Sequence, residues 1–415
     1  MFNEPTVFIL GAGASWHYGY PTGEDLVKRV IESSAKAEEY FRHSMHHKYA
    51  DCPNYVKNKF PSHPSKIGLM KAWEESADEC LQLRNNLRDA NPPVIDYFLG
   101  QSPGLWSIGK LMIAWVILEY ETTYISKRKG NVNRTRNLEE SPDITDIEKA
   151  RRIDVTKYND DWIRFIIYQL ASNCNTSNDL LSNDVTFITF NYDISLEYKL
   201  YTGLNAIELF NGDPTNHFLS SNRILHVYGK IHDSSDRFGT TRLDVIRKHK
   251  DPNLAIKYNN DMYQYNLDYI EFLNDIFACS QNLRVISDHK EFDSKILDTA
   301  SEAIKRAATI YILGYGFDEK NSERLGLNTL WIGEGHKEFP SRVFFTNFED
   351  RNSVNKKASQ LFANNPGEFL PSFIYNPITV YDSLGRPGKG SKYFEKSTRN
   401  VYDALERDFD WESYV

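Results

Sequence analysis

The chain has 415 residues, 40% of them hydrophobic and 26% charged, with a formal net charge of −8. That length supports a large core, and the acidic balance argues against a protein that holds nucleic acid through a global basic surface; local runs such as Lys127–Lys129 and Arg242–Lys250 read as solvated faces. Four dispersed cysteines without a Cys-x-x-Cys pair argue against a zinc ribbon or a disulfide framework, and without a basic leader, a long apolar run or a lipidation signal the chain reads as cytoplasmic, with no membrane segment.

The first predicted element is a short apolar strand, Thr6–Leu10, that runs into Gly11-Ala12-Gly13-Ala14-Ser15 and on to Gly19-Tyr20-Pro21-Thr22-Gly23. Glycines at 11 and 13 permit a sharp turn and the close approach of a diphosphate to the main chain. A helix predicted from about Glu24 to Ser34 would offer N–H groups at its start. Taken alone, the pattern also fits any tight strand-to-helix turn. Positions 34–183 then read as mostly helical and polar, with helical stretches at Trp73–Leu87, Ser107–Tyr120 and Trp162–Asn173 and a charged loop at Lys127–Asp146. This interval is predicted to be an insertion, a second lobe over the ligand edge of a sheet. His43 and His47 are four apart and could share a helix face, but no third ligand stands at a recognisable spacing, so no metal site is predicted.

A second strand, Asp184–Phe190, delivers Asn191 and Asp193, two residues apart, at its carboxyl end. An amide oxygen there can hold a hydroxyl or a water without adding charge, and the carboxylate can bind a ribose hydroxyl or stabilise a cationic sugar; Asn-Tyr-Asp is equally a common strand-end turn. A third strand, Arg223–Val227, precedes Tyr228-Gly229, with His226 and His232 three residues to either side of the glycine. Neutral imidazole is a natural base near neutral pH, although a packed and a loop histidine fit the same residues. Helices are predicted at Tyr265–Phe277 and Glu291–Arg306. Strand Thr309–Leu313 runs into Gly314-Tyr315-Gly316, either a second close backbone approach to a nucleotide or a plain turn. Strand Arg342–Thr346 ends at Asn347, an amide for a ribose or adenine, or a turn residue. Beyond it come an apolar piece (Phe369–Phe373), a glycine-bearing stretch (Asp382–Ser391) and a final helix from about Ser397 to Phe409. The alternation predicts a doubly wound, mostly parallel Rossmann-like α/β sheet from residues 1–33 and 184–365, a mostly helical insertion at 34–183 and a C-terminal extension at 366–415.

Taken together and in this order, segments 6–23, 184–197, 223–233, 309–321 and 342–347 resemble the sirtuin-like superfamily of NAD-consuming domains. The resemblance implies that Gly11, Ala12, Gly13, Ser15, Gly19 and Pro21, with Thr22 beside them, bind the diphosphate and cover the nicotinamide ribose. Gly229, Gly314, Gly316 and Asn347 would complete the cofactor site, and Asn191 and Asp193 match the family's Asn-x-Asp. Two departures stand out. The four-cysteine zinc module of the protein-deacetylating members is missing, and Tyr228 occupies the position where the family's catalytic histidine directly precedes the glycine. His226, one strand repeat earlier on the same face, is the first candidate for the imidazole and His232 the second. Thr-Phe-Asn-Tyr-Asp and Leu-Gly-Tyr-Gly-Phe look like the bacterial anti-phage branch, whose members hydrolyse NAD. That likeness implies an NAD+ glycohydrolase, a homo-oligomer, assembling with a hexameric HerA-type ATPase; direct nucleic-acid contact is left open. The alternatives are an NAD- or ADP-ribose-binding scaffold that regulates a partner ATPase or nuclease, and an NAD-dependent protein deacylase.

Overall fold

A computed structural model describes residues 1–47, 52–59, 65–130, 161–231, 267–285, 294–327, 342–362 and 393–408. Among these residues six strands form one all-parallel sheet: β1 (Thr6–Leu10), β2 (Val185–Thr189), β3 (Ile224–His226), β4 (Thr309–Leu313), β5 (Arg342–Thr346) and β6 (Tyr393–Ser397). Their spatial order is β3-β2-β1-β4-β5-β6, the arrangement of a doubly wound Rossmann-like sheet. β1 and β4 are buried at every position, as parallel strands covered on both faces must be, and this explains their unbroken apolar sequences. The third residue of four strands is aromatic, and in register these rings form a ladder across one face. Phe187, Phe8, Tyr311 and Phe344 stack in turn with centroids 5.2, 4.9 and 4.9 Å apart. A slip of one residue would send a ring to the opposite face, so the ladder sets the register.

Between β1 and β2 the chain builds the helical lobe: a short α1 (Ala12–Trp16), then α2 (Gly23–His47), α3 (Asn54–Lys57), α4 (Lys66–Ala90), α5 (Ile95–Gly100), α6 (Trp106–Gly130) and α7 (Ile163–Ala171). Buried Leu26, Val27, Val30, Ala37, Tyr40 and Phe41 make one stripe on α2, and Ala72, Trp73, Ala77, Cys80, Leu83 and Leu87 make one on α4. The stripes face each other, with the Trp73 ring 5.9 Å from both Tyr40 and Phe41. Ser65 caps α4 through its hydroxyl, which accepts the Gly68 N–H at 3.1 Å. The boundary expected at residue 34 falls inside α2, so the lobe grows out of the first crossover helix instead of following it. Lys127–Gly130, expected as loop, are the last turn of α6; the rest of that loop lies outside the described residues.

The later strands alternate with α8 (Ser195–Asn205), α9 (Asp213–Ser220), α10 (Leu267–Ser280), α11 (Ser294–Arg306), α12 (Glu319–Arg324) and α13 (Asn352–Phe362). The C-terminal extension differs from expectation in that it supplies the sixth strand. β6 pairs with β5, Arg342 opposite Tyr393 and Thr346 opposite Ser397, so the terminal helical turn starts only at Val401. As an edge strand, β6 needs no continuous apolar run, and its Glu395-Lys396 hides it from a search for buried strands. Phe369–Phe373 and Asp382–Ser391 lie outside the described residues. Among the described residues no helix is long and apolar enough to cross a membrane.

Candidate functional site

The strand order reverses between β1 and β4, and in open α/β sheets ligands bind beyond the carboxyl ends of the strands at such a point. The two glycine turns meet there. Gly11 N–H donates to the Leu313 carbonyl and Gly13 N–H to the Gly314 carbonyl, both at 3.0 Å. A Cβ on Gly11 would lie 2.5 Å from the Gly314 oxygen, and one on Gly314, whose φ is +60°, would lie 2.3 Å from the Ala14 nitrogen. Glycines 11, 13 and 314 are thus required by one another; the close backbone approach is turn on turn. Ala14 N–H donates to the Gly11 carbonyl at 2.9 Å, and among the described residues the Ala12 amide has no hydrogen-bond partner. Gly19 and Gly316 have open space where a Cβ would stand.

The N-terminus of α2 is a poorer anion site than expected. Thr22 donates its hydroxyl to the Asp25 carboxylate at 2.8 Å, and Glu24 and Asp25 occupy the first turn beyond Pro21. Two acids there already complement the helix dipole and oppose a diphosphate.

Asn191 stands beside the first turn. Its Nδ2 donates to the Gly11 carbonyl at 2.9 Å and to Ser15 Oγ at 2.8 Å, and Ser15 Oγ lies 3.3 Å from Ser195 Oγ. Both amide hydrogens are engaged, so the side chain is fixed, while Oδ1 of this partly buried residue has no partner among the described residues. Asp193 is buried and accepts the Ser195 N–H at 2.9 Å, an Asx turn leading into α8.

His226 has a different part from the one expected. It is 6% exposed, its Nδ1 lies 3.0 Å from the Asn191 carbonyl oxygen and its Nε2 lies 2.8 Å from Glu197 Oε1. Both ring nitrogens are thus engaged by oxygens of the protein. Burial pushes the Glu197 carboxyl up, but His226 and Lys230, whose Nζ is 3.1 Å from the same oxygen, outweigh burial and hold it at about 2. An exchangeable lone pair facing a substrate is what a base needs, and here both nitrogens are used on protein atoms. His226 thereby anchors the Asn191 backbone. His232, the second candidate, lies outside the described residues.

Three further assignments change in the same direction. Tyr228 is buried, burial raises its phenol, and its hydroxyl donates to Asn321 Oδ1. Gly229, at φ +71°, packs under the segment after α10, where a Cβ would lie 1.9 Å from the Asn282 carbonyl oxygen. Asn347 uses its amide on its own turn: Nδ2 donates to the Arg351 carbonyl at 3.0 Å and to Asn355 Oδ1 at 2.8 Å, and Oδ1 accepts the Arg351 N–H at 3.2 Å. It is a turn residue, one of the two readings its position allowed.

The site also holds residues that sequence reasoning missed. Asp96, from α5 in the lobe, is 8% exposed and accepts the Tyr192 hydroxyl. Burial pushes its carboxyl up to about 6, the Tyr192 bond works against this and nearby Asp318 works with it. Phe190 and Tyr315, leaving β2 and β4, stack at 5.0 Å. Nothing around Asp96 in the sequence marks it, because its importance comes from an element that meets it only after folding. Glu197 ends the Asn191–Glu197 run, but its burial depends on β3 supplying His226.

Comparison with known proteins finds no family model, no characterised protein and no solved structure that matches the chain.

Proposed function

We propose that the chain hydrolyses NAD+ at the nicotinamide glycosidic bond, releasing nicotinamide and ADP-ribose. The observation that carries this reading is Asn191, next to the switch-point turn, with its amide nitrogen fixed by Gly11 and Ser15 and its oxygen without a partner among the described residues. That oxygen accepts a hydrogen from the attacking water and directs the water's lone pair at the anomeric carbon. Nicotinamide departs from a cationic ring as a neutral molecule, so positive charge builds on the sugar, where the Asp193 carboxylate favours it. The new C–O bond forms as the C–N bond breaks, and the water's second proton passes to solvent. With a leaving group this good, orienting the water counts for more than deprotonating it, which suits a site whose histidine is an anchor. By the same resemblance, the enzyme is a cytoplasmic homo-oligomer that acts as an anti-phage effector with a HerA-type ATPase.

Asn191→Ala is expected to lower nicotinamide release by about two orders of magnitude or more while the oligomer stays intact, as gel filtration alongside the assay would show. Near-wild-type release by that variant would sink the assignment.

A second reading has one observation in its favour: His226 and Tyr228, the two groups nearest the position where the resembled family keeps its base, are both bound to protein atoms. It makes the chain a regulatory scaffold that binds NAD or ADP-ribose without turnover. Saturable NAD binding with no nicotinamide released, alone or with the ATPase, would select it.

A further inference from the structure

We infer that Asp96, carried by the helical lobe, is a positioning residue for Asn191, acting through the Tyr192 hydroxyl. The inference deepens the hydrolase reading and rests on it for its activity readout. Three consecutive residues of the loop are each gripped by a different part of the molecule. Asn191 is held by the Gly11 turn through its side chain and by His226 through its carbonyl. Tyr192 is held by Asp96 through its hydroxyl and by the Ile231 N–H, which donates to its carbonyl at 3.1 Å. Asp193 is held by the start of α8. The Tyr192 grip comes from the lobe, through a carboxylate and a hydroxyl that are both buried.

Without Asp96, the Tyr192 hydroxyl loses the acceptor at its buried position, and an unsatisfied buried donor draws the ring toward water. The backbone that moves with it is the one that carries Asn191. A displacement of about 1 Å in a positioned group can lower a rate by about a hundredfold, so a contact made outside the reacting atoms can govern turnover.

The carboxyl's surroundings give the contact a pH dependence. The titratable groups that act on Asp96 are the Tyr192 hydroxyl on the β2 loop and Asp318 beyond β4. Asp96 in turn acts on Tyr228 beyond β3, on which Arg324 of α12 also acts. An ionised carboxylate can only accept, which locks Tyr192 as donor; a protonated one can also donate and lets the phenol turn. Burial brings that change to about pH 6. Asn191-dependent turnover accordingly rises as pH increases through that value, whereas Glu197, held at about 2, contributes no such limb there.

The test is nicotinamide release from pH 5 to 8 by wild type, Asp96→Asn, Asp96→Ala and Tyr192→Phe, with amide hydrogen exchange of the same full-length proteins. Asp96→Ala and Tyr192→Phe are expected to lose about tenfold or more in kcat with KM little changed, and to exchange faster at residues 190–194 but not in β1 or β4. Asp96→Asn keeps an acceptor for the tyrosine, restores most of the rate and lacks the limb near pH 6. Tyr192→Phe removes one hydroxyl only, which guards against a result caused by misfolding. Wild-type kcat and wild-type exchange in Asp96→Ala and Tyr192→Phe would overturn the inference, as would faster exchange spread evenly over the sheet. If wild type releases no nicotinamide, the hydrolase reading fails, while the exchange at 190–194 still decides whether Asp96 positions the loop.

Discussion

Two buried carboxylates flank the Asn191–Asp193 loop, and the fold treats them in opposite ways. Glu197, on the first turn of α8, is 2% exposed and Asp96, on α5, is 8% exposed, so both are removed from water. Glu197 faces the His226 ring and the Lys230 ammonium and is held ionised, at about 2. Asp96 faces a hydroxyl, with another acid nearby, and is pushed up to about 6. Burial acts upward on both; the partner decides the outcome. The sheet side of the loop is therefore a fixed charged anchor, while the lobe side is a contact whose charge can change near neutral pH.

The comparison breaks most visibly at Glu197. Glu197→Ala leaves the Lys230 ammonium partly buried without its counter-charge and takes away the carboxylate partner of the buried His226 ring, and is expected to cost about 3–5 kcal/mol in urea denaturation. A loss below about 1 kcal/mol would mean that the triad does not anchor the loop. The opposite sign is expected on the other side. Asp96→Asn removes a carboxylate that is ionised at pH 7.5 at a cost to the fold, so the variant gains about 1–3 kcal/mol there.

The pH dependence of stability sharpens the contrast. A raised carboxyl binds more protons folded than unfolded, so the Asp96 contribution is fully present below about 4 and is lost as pH rises through about 6. A depressed carboxyl does the reverse: the Glu197 contribution is present above its ordinary range and is lost as pH falls toward about 2. Denaturation midpoints of wild type and Asp96→Asn should therefore converge between pH 6 and 4, whereas those of wild type and Glu197→Gln converge only in stronger acid. Parallel curves in both pairs would refute the assignment of opposite states. The smallest effect is expected at Asp193, where Asp193→Ala removes the acceptor of the Ser195 N–H at the start of α8 and lowers stability by about 1 kcal/mol, read from thermal melts.

Much of the sheet was legible before folding. β1, β4 and β5 match their expected bounds because a strand buried on both faces needs an unbroken apolar run, and little else produces one at that length. The candidate site was legible as a set of strand ends, and at one of them the Asn191 amide nitrogen donates to the Gly11 carbonyl and to Ser15 Oγ. The glycines were found, but not for the reason given. A Gly-x-Gly turn shows that something approaches the backbone closely, and it carries no information on whether that is a phosphate or, as at Gly11 and Gly314, a second turn. His226 follows the same logic: its residue type makes a base conceivable, and only the meeting of β3 with α8 shows that Glu197 already holds the ring.

By itself, then, the amino-acid sequence determined the α/β class, five of the six described strands and the place of Asn191 at a strand end. These follow from local periodicity and from burial on two faces, which a linear pattern records. Tertiary structure alone decided that β6 pairs with β5, that the two glycine turns pack on each other, that His226 anchors instead of facing solvent, and that Asp96 from the lobe grips Tyr192. Each of these depends on which distant group fills a residue's hydrogen-bonding capacity, and that is settled by packing.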